Sequence, residues 1–464
     1  MQKNKYYYIL TFGCQMNKND SERISGLLTS IGLKETKTPK KADVLFINTC
    51  SVRQHAEDRV FGFVREWQKF RINKPNLIVG ITGCLPGRDK DGKLQKKLPG
   101  VDLFFPINEL PTLARRLHEL NPGLFPGSLD SVEEYWQIEP KLDKKYSAFV
   151  TIQNGCNNFC TYCVVPYARG QEKNRPLKEI LKEIKALVKN GCLEVTLLGQ
   201  VVNNYQAPDK KNFSKNNLFC HPELVSGSLG MPKQVRHDSM GTDHFAALLW
   251  EINQIKGLKR IHWTAADPQY FSDQQIQALT LLKQVNFLHL PVQSGNNQIL
   301  KKMNRKYTRE NYLKLVKKIK KVRPEIALGT DFIVGFCAET KKQFLDTVDL
   351  YKKCDFDISY HAQYSARSGT VAAKMFKDNV SREEKKRRWQ VLQDLMEEIT
   401  YRKNQKYLGQ KNSVLVDNFV DGWCSGNSEE MKLTRFRGVP KMIGTIQPVK
   451  IIKTSTWILW AEKL

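Results

Sequence analysis

Three cysteines within eight residues, in Cys156-Asn157-Asn158-Phe159-Cys160-Thr161-Tyr162-Cys163, constrain this chain more than any other feature of its sequence. They follow an apolar run at 148–152 that reads as a β-strand. A loop leaving a strand end can turn three thiols toward one point. Soft thiolates in that number suit an iron–sulfur cluster. A cube of four irons then keeps one iron open to a small molecule. A structural zinc site normally closes with four protein ligands, and no fourth Cys or His lies in this loop. A zinc loop, or chance clustering, remains the bland alternative.

The surrounding pattern is α/β. The 464 residues correspond to about three domains. Residues 4–120 alternate strands at 6–10, 44–47 and 77–81 with helices at 20–31 and 53–70, which predicts a parallel α/β domain. Residues 121–143, rich in Pro, Gly and acids, read as a linker. Residues 144–380 repeat the alternation. Strands are expected at 148–152, 194–198, 259–264, 286–290, 327–334 and 357–361, and six β/α units predict a partial parallel barrel. The clearest helix is 177–189, where Leu177, Ile180, Leu181, Ile184, Leu187 and Val188 form one stripe before Gly191. Residues 206–243 have no periodicity and read as an exposed, dispensable insertion. A charged helix at 381–402 opens with a capping box, Ser381 and Glu384. Short β patterns in 403–464 predict a small β-barrel.

Charge points to a polyanion. Lysine and arginine number 74 against 47 acids, a net of +27, and nucleic acid is the first candidate partner. No run of about 18 apolar residues suggests a membrane span, and the N-terminus does not read as a secretory signal. Eleven cysteines, an odd number in a long chain, disfavour a disulfide framework. A reducing, cytoplasmic setting with metal or redox thiols is expected.

A second set of thiols is spread along the first domain. Cys14, Cys50 and Cys84 each follow a predicted strand. In a parallel sheet the carboxyl ends share one edge, where ligand sites form, so these thiols can converge although some 35 residues separate them. Three buried core cysteines would be the ordinary alternative.

Three sequence stretches around these thiols, Thr11-Phe12-Gly13-Cys14-Gln15-Met16-Asn17, Asn48-Thr49-Cys50-Ser51-Val52-Arg53 and Thr82-Gly83-Cys84, resemble the Cys motifs of the methylthiotransferase N-terminal domain. The Cys156–Cys163 loop, with its aromatic before the last Cys, resembles that of the radical S-adenosylmethionine (SAM) superfamily. The tail resembles the TRAM domain, an RNA-binding β-barrel. The likeness covers nearly the whole chain. Arg169-Gly170-Gln171-Glu172 with Arg175-Pro176, and His289-Leu290-Pro291-Val292-Gln293-Ser294-Gly295, favour the branch acting on tRNA dimethylallyladenosine over the branch that modifies a ribosomal-protein aspartate.

The resemblance implies two 4Fe-4S clusters, one on Cys156, Cys160 and Cys163 that binds SAM and an auxiliary one on Cys14, Cys50 and Cys84. It implies methylthiolation of carbon 2 of N6-dimethylallyladenosine beside the anticodon. One SAM would supply the methyl group and a second the radical. Expected partners are tRNA, an electron donor such as a flavodoxin or ferredoxin, and a sulfur or cluster donor protein, with the enzyme a monomer. Alternatives are a sister enzyme acting on threonylcarbamoyladenosine tRNA or a ribosomal protein, and, in another class, a zinc-stabilised RNA-binding protein. The chain departs from the family at Asn174, Leu85-Pro86-Gly87, Cys337-Ala338 and Val201, none of which removes an implied ligand.

Other candidate residues lie at strand ends. Gly199 and Gln200, and Gln293 and Ser294, end the second and fourth strands of the expected barrel and are candidate SAM or substrate contacts, as is Tyr162 in the loop. Asp331, a carboxylate in an apolar strand, requires a partner, and Arg305 can meet a carboxylate; both are given a SAM role. Cys220, His221, His237 and His244 have no compact zinc spacing. The lysines of 314–321 read as a solvated helix face. In the tail, ten basic residues stand against five acids. Lys432, Arg435, Arg437 and Lys441, interleaved with Phe436 and Met442, are the expected RNA contacts.

Overall fold

The apolar runs near the N-terminus become a five-stranded, wholly parallel sheet in the computed structural model, which describes residues 5–51, 54–125, 132–220 and 242–464. The strands are β1 (Tyr6–Phe12), β2 (Lys34–Glu35), β3 (Val44–Thr49), β4 (Ile78–Gly83) and β5 (Leu103–Phe104), in the order β2-β1-β3-β4-β5. Every residue of β3 and β4 is buried because both faces are covered. Val44 and Phe46 pack with Ile24, Leu27 and Leu28 of helix α1 (Gln15–Ser30). Leu45 and Ile47 pack on the opposite face with Val60, Val64 and Trp67 of helix α2 (Gln54–Gln68). β2 and β5 have two residues each, too few to produce a pattern.

Helix α1 starts five residues before the sequence reading placed it. Its first turns bury Asn17, Asn19, Asp20, Glu22 and Arg23, so they show no apolar period. The stretch read as a linker also differs from expectation. Tyr135 and Ile138 join the core above α1, and Arg23 donates to the Ile138 carbonyl at 2.5 Å; residues 126–131 lie outside the described residues.

Contacts divide the chain into two units: Met1–Asp143 with Asn154–Lys173 and Arg367–Thr370, and Lys144–Gln153 with Asn174–Ala366 and Val371–Leu464. In the second unit all six expected strands form, as Ser147–Thr151, Glu194–Leu198, Arg260–Trp263, Phe287–His289, Ala327–Val334 and Ile358–Gln363. The first three and the last three pair in parallel. They form two three-stranded sheets, and an isolated parallel bridge from Ile261 to Gln284, three residues before Phe287, lies between them.

Helix Leu177–Lys189 has the expected bounds and buries Leu177, Ile180, Ile184 and Leu187; Leu181 and Val188 are half-buried. Its first amides are capped from the supposed insertion. The Asp209 carboxylate accepts from the N–H groups of Leu177 at 2.6 Å and Lys178 at 3.1 Å. Asn217 is buried and donates to the Ala247 carbonyl at 2.9 Å. The expectation of an exposed insertion therefore fails for part of 206–220, where Ala207, Asn217 and Phe219 are buried and side-chain hydrogen bonds replace periodicity. Residues 221–241, with His221 and His237, lie outside the described residues.

The long helix Arg382–Asn404 is capped by Ser381, but Glu384 pairs with Arg387 and Arg388 instead of closing a capping box. Five strands then close a barrel: Lys411–Val420, Trp423–Asn427, Leu433–Arg437, Ile446–Thr454 and Leu459–Lys463. Its core holds Val414, Val416, Phe436, Val449 and Ile451. Arg260 fastens this barrel to the parallel strands by donating to the carbonyls of Asn427 at 2.9 Å and Ser413 at 2.8 Å.

Replacing Asp209 by Ala leaves two helix N-terminal amides unpaired. It is expected to cost about 1 kcal/mol, read as a lower urea midpoint with an unchanged slope.

Candidate active site

The register of the first sheet gathers three thiols. Phe12, Thr49 and Gly83 are paired neighbours across β1, β3 and β4. Cys50 and Cys84 stand one residue past that rung and Cys14 two. The Cys50 N–H donates to the Phe12 carbonyl at 2.8 Å. A side chain at Gly13, whose φ is +145°, would place its first carbon 2.8 Å from the Cys50 Cβ, so glycine is required where the Cys14 turn crosses β3. Asn17 accepts from the Cys14 amide at 3.3 Å and donates to Asn48 at 3.2 Å, which ties that turn to β3.

The electrostatics favour a thiolate at Cys84. Cys14 is the N-cap of α1, and Cys84 begins the short helix α3 (Cys84–Arg88). A hydrogen bond from Cys50, helped by the Arg169 guanidinium, pulls the Cys84 thiol down to about 6 against the opposing effect of its burial.

The same unit contains the loop with Cys156, Cys160 and Cys163. Cys156 is buried and the other two are half-buried. Backbone amides aim at the sulfurs: Asn158 N–H points to Cys156 at 3.4 Å and Val165 N–H to Cys163 at 3.5 Å. Such donors favour the charged form of a ligand sulfur. Tyr162 is half-buried and Phe159, with φ +47°, is exposed. Both cysteine sets thus have the donor chemistry of iron–sulfur ligands. Among the described residues, no three His, Cys, Asp or Glu side chains gather closely enough for a single metal ion. A cube does not require that convergence, since each thiolate meets a different iron.

The remaining candidates lie in the second unit. Gly199 and Gln200 follow strand Glu194–Leu198. The Gln200 Oε1 is buried without a hydrogen-bond partner, and Gly199 packs on Gln153. Gln293 has φ +71° and bridges to Phe332. Ser294 is fully buried, and its Oγ accepts from the Asn296 amide, a loop-stabilising bond. Asp331 lies 3.3 Å from His289 Nε2, an ion pair when that imidazole is protonated, without a hydrogen bond between them. Phe332 stacks on Tyr351 of a covering helix, so Asp331, in the alternate register, faces away from the helices. His289 packs edge-on against Tyr360 on the next strand but one. Arg305 meets a carboxylate, that of Asp267, at 3.1 Å in a buried pair.

The sequence reading did not single out His262 or Tyr360. His262 is buried, its Nε2 has no partner, and burial pushes its pKa down to about 4. A histidine inside the four-residue strand Arg260–Trp263 was the available signal.

On the C-terminal barrel, Lys432 corrects the reading. Its ammonium is buried 3.5 Å from Asp357, so it serves the core and not an RNA surface. Phe436 faces the barrel core. The aromatic surface comes instead from Trp423 and Trp460, whose ring centres are 5.2 Å apart. Arg437 stacks on Trp423 at 4.1 Å and Arg435 lies 5.9 Å from Trp460. Arg435, Arg437 and Lys441 are exposed.

The chain is similar to known proteins. A family model described as "Uncharacterized protein family UPF0004" matches residues 6–106, and the Radical SAM superfamily model matches 150–351. The tRNA-2-methylthio-N(6)-dimethylallyladenosine synthase of Caldicellulosiruptor saccharolyticus is 38% identical over 99% of this chain and 93% of its own length. The enzyme of the same name from Carboxydothermus hydrogenoformans is 38% identical over 96% of each chain. Among solved structures, the radical S-adenosylmethionine methyltransferase TsrM from Kitasatospora setae, with cobalamin and a [4Fe-4S] cluster bound, superposes with a TM-score of 0.52. It covers 80% of this chain and 77% of its own at 13% identity, a likeness of fold.

His262 supplies a pH test. The fold holds its imidazole neutral, whereas the unfolded chain protonates it below about pH 6.5. Its stabilising contribution is complete above that pH and is lost as pH falls toward 4, on the order of 3 kcal/mol in all. Denaturation midpoints measured across this window should fall less steeply for His262→Asn than for the parent.

Proposed function

We propose, for a chain that belongs to the radical-SAM methylthiotransferase family of these synthases, that it methylthiolates carbon 2 of N6-dimethylallyladenosine beside the anticodon of tRNA. Membership of the radical-SAM superfamily brings SAM and a 4Fe-4S cluster. The observation that carries the fuller reading is that two sets of three thiols occur in one unit, one on the strand ends and one on the 156–163 loop.

Cys156, Cys160 and Cys163 would hold the SAM-binding cluster, and Cys14, Cys50 and Cys84 a second, auxiliary one. Bound there, these groups and SAM supply the radical that removes hydrogen from an unactivated carbon, together with the sulfur and methyl that replace it. The chain's own residues bind and orient. Gln200, with its unpaired amide oxygen, and the His289–Asp331 neighbours with Tyr360 are polar groups of the second unit able to contact a bound ligand. An anticodon-loop base leaves its stack at small cost. The Trp423–Trp460 surface with Arg435, Arg437 and Lys441 binds RNA phosphates and bases. The reaction takes place in the cytoplasm, with a flavodoxin or ferredoxin as reductant and a separate protein as sulfur or cluster source. Among the described residues, no helix is long and apolar enough to cross a membrane.

Three measurements test this reading. Anaerobically reconstituted protein should hold about eight irons, four per cube. The Cys156/Cys160/Cys163→Ala triple variant should keep about half; loss of all iron, or zinc alone, defeats the two-cluster model. Given SAM, reductant and unmodified, dimethylallylated or threonylcarbamoylated tRNA, the protein should give methylthio product from the dimethylallylated one. Product from the threonylcarbamoylated tRNA alone transfers the chain to the sister activity. Arg435→Ala with Arg437→Ala should weaken tRNA binding and lower the slope of log affinity against log salt by about two.

A further inference from the structure

The Arg169 guanidinium is one of the most enclosed charges in the first unit. Its side chain is 3% exposed and that of Asp20 is 0%. Nε donates to the Cys84 sulfur at 3.4 Å, one terminal nitrogen donates to Asn154 at 3.3 Å, and the other is ion-paired with Asp20. Asp20 also accepts from the Tyr135 hydroxyl at 2.7 Å. The backbone around Arg169 is held as firmly. Its short helix, Val165–Arg169, begins two residues after Cys163, and a side chain at Gly87 would place its first carbon 2.0 Å from the Ala168 carbonyl oxygen, so only glycine lets α3 approach this closely. One buried cation therefore connects the loop that carries Cys156, Cys160 and Cys163 to the sulfur of Cys84.

We propose that Arg169 is a positioning and tuning residue for the group held by Cys14, Cys50 and Cys84: it donates an N–H···S bond to Cys84, with Asp20 as its counter-charge. The proposal rests on the reading that those three thiols hold a cluster. A cationic donor beside a ligand sulfur stabilises the reduced, more negative state, and hydrogen bonds to sulfur are among the factors that set cluster potentials. Removing Arg169 leaves the Asp20 carboxylate uncompensated next to the site, and neutralising Asp20 leaves the guanidinium uncompensated. The two changes should therefore move the potential in opposite directions, a signature that mere packing does not produce.

The test uses the full-length chain carrying Cys156, Cys160 and Cys163→Ala, so that only the second site binds iron. It is reconstituted anaerobically and titrated electrochemically with the reduced cluster followed by electron paramagnetic resonance. Arg169→Met should lower the midpoint potential, Asp20→Asn should raise it, and Arg169→Lys, which keeps the charge but not the planar fork, should fall between Arg169→Met and the parent. Unchanged potentials in iron-loaded variants overturn the proposal, as does a shift of the same sign from Arg169→Met and Asp20→Asn. Iron loss with loss of folded structure in all three variants, Arg169→Lys included, overturns it in favour of a structural role. Failure of the parent triple variant to bind iron would instead remove the cluster reading on which the proposal rests.

Discussion

In-register parallel pairing of β1, β3 and β4 is the constraint on which the site depends. Main-chain hydrogen bonds fix Phe12, Thr49 and Gly83 as neighbours. Three cysteines from distant parts of the sequence then emerge at one sheet edge, where the Cys50 thiol reaches that of Cys84. A one-residue slip in any strand would turn its neighbouring side chains to the opposite face and dissolve the arrangement. The burial of both faces of β3 and β4 prevents that slip, since each alternate residue is already committed to a separate apolar cluster.

Elements whose burial follows a regular period were legible from the sequence. Helix Leu177–Lys189 was read to the residue because its apolar stripe is clean and Gly191 lies just beyond it. Among the six strands of the two parallel three-stranded sheets, Glu194–Leu198 and Ala327–Val334 were legible as mainly apolar, β-branched stretches. What escaped was polar burial. The start of α1 hides behind Asn17, Asn19, Asp20 and Glu22, and 206–220 is held by Asp209 and Asn217 through individual hydrogen bonds. Lys432 sits among exposed basic residues in the sequence, and only the fold brings Asp357 beside it. The Arg169–Asp20 pair spans 149 residues and leaves no local trace.

The buried charges have a common logic. Arg169 with Asp20, Arg305 with Asp267, and Arg388 with Glu339 are each enclosed pairs. Desolvation offsets much of their attraction, so such pairs are poor evidence of added stability. Their value is directional, because a fork-shaped guanidinium restricts where its partners can stand. The cations that balance these carboxylates are neutralised internally, and the chain's net +27 is carried by the remaining basic residues.

The attachment of the C-terminal barrel has a consequence for selection. Arg260 holds two barrel carbonyls from a strand of the parallel sheets, and Lys432 reaches back from the barrel to Asp357 at the start of another. A module fastened at two points keeps a constant offset from the strands that hold it. An RNA stem gripped on the Trp423–Trp460 surface would then present to those strands whichever nucleotide lies one fixed span away. With RNA held there as proposed, the choice of target would work as a ruler does, by measured distance along the RNA, before any base is inspected for its chemistry.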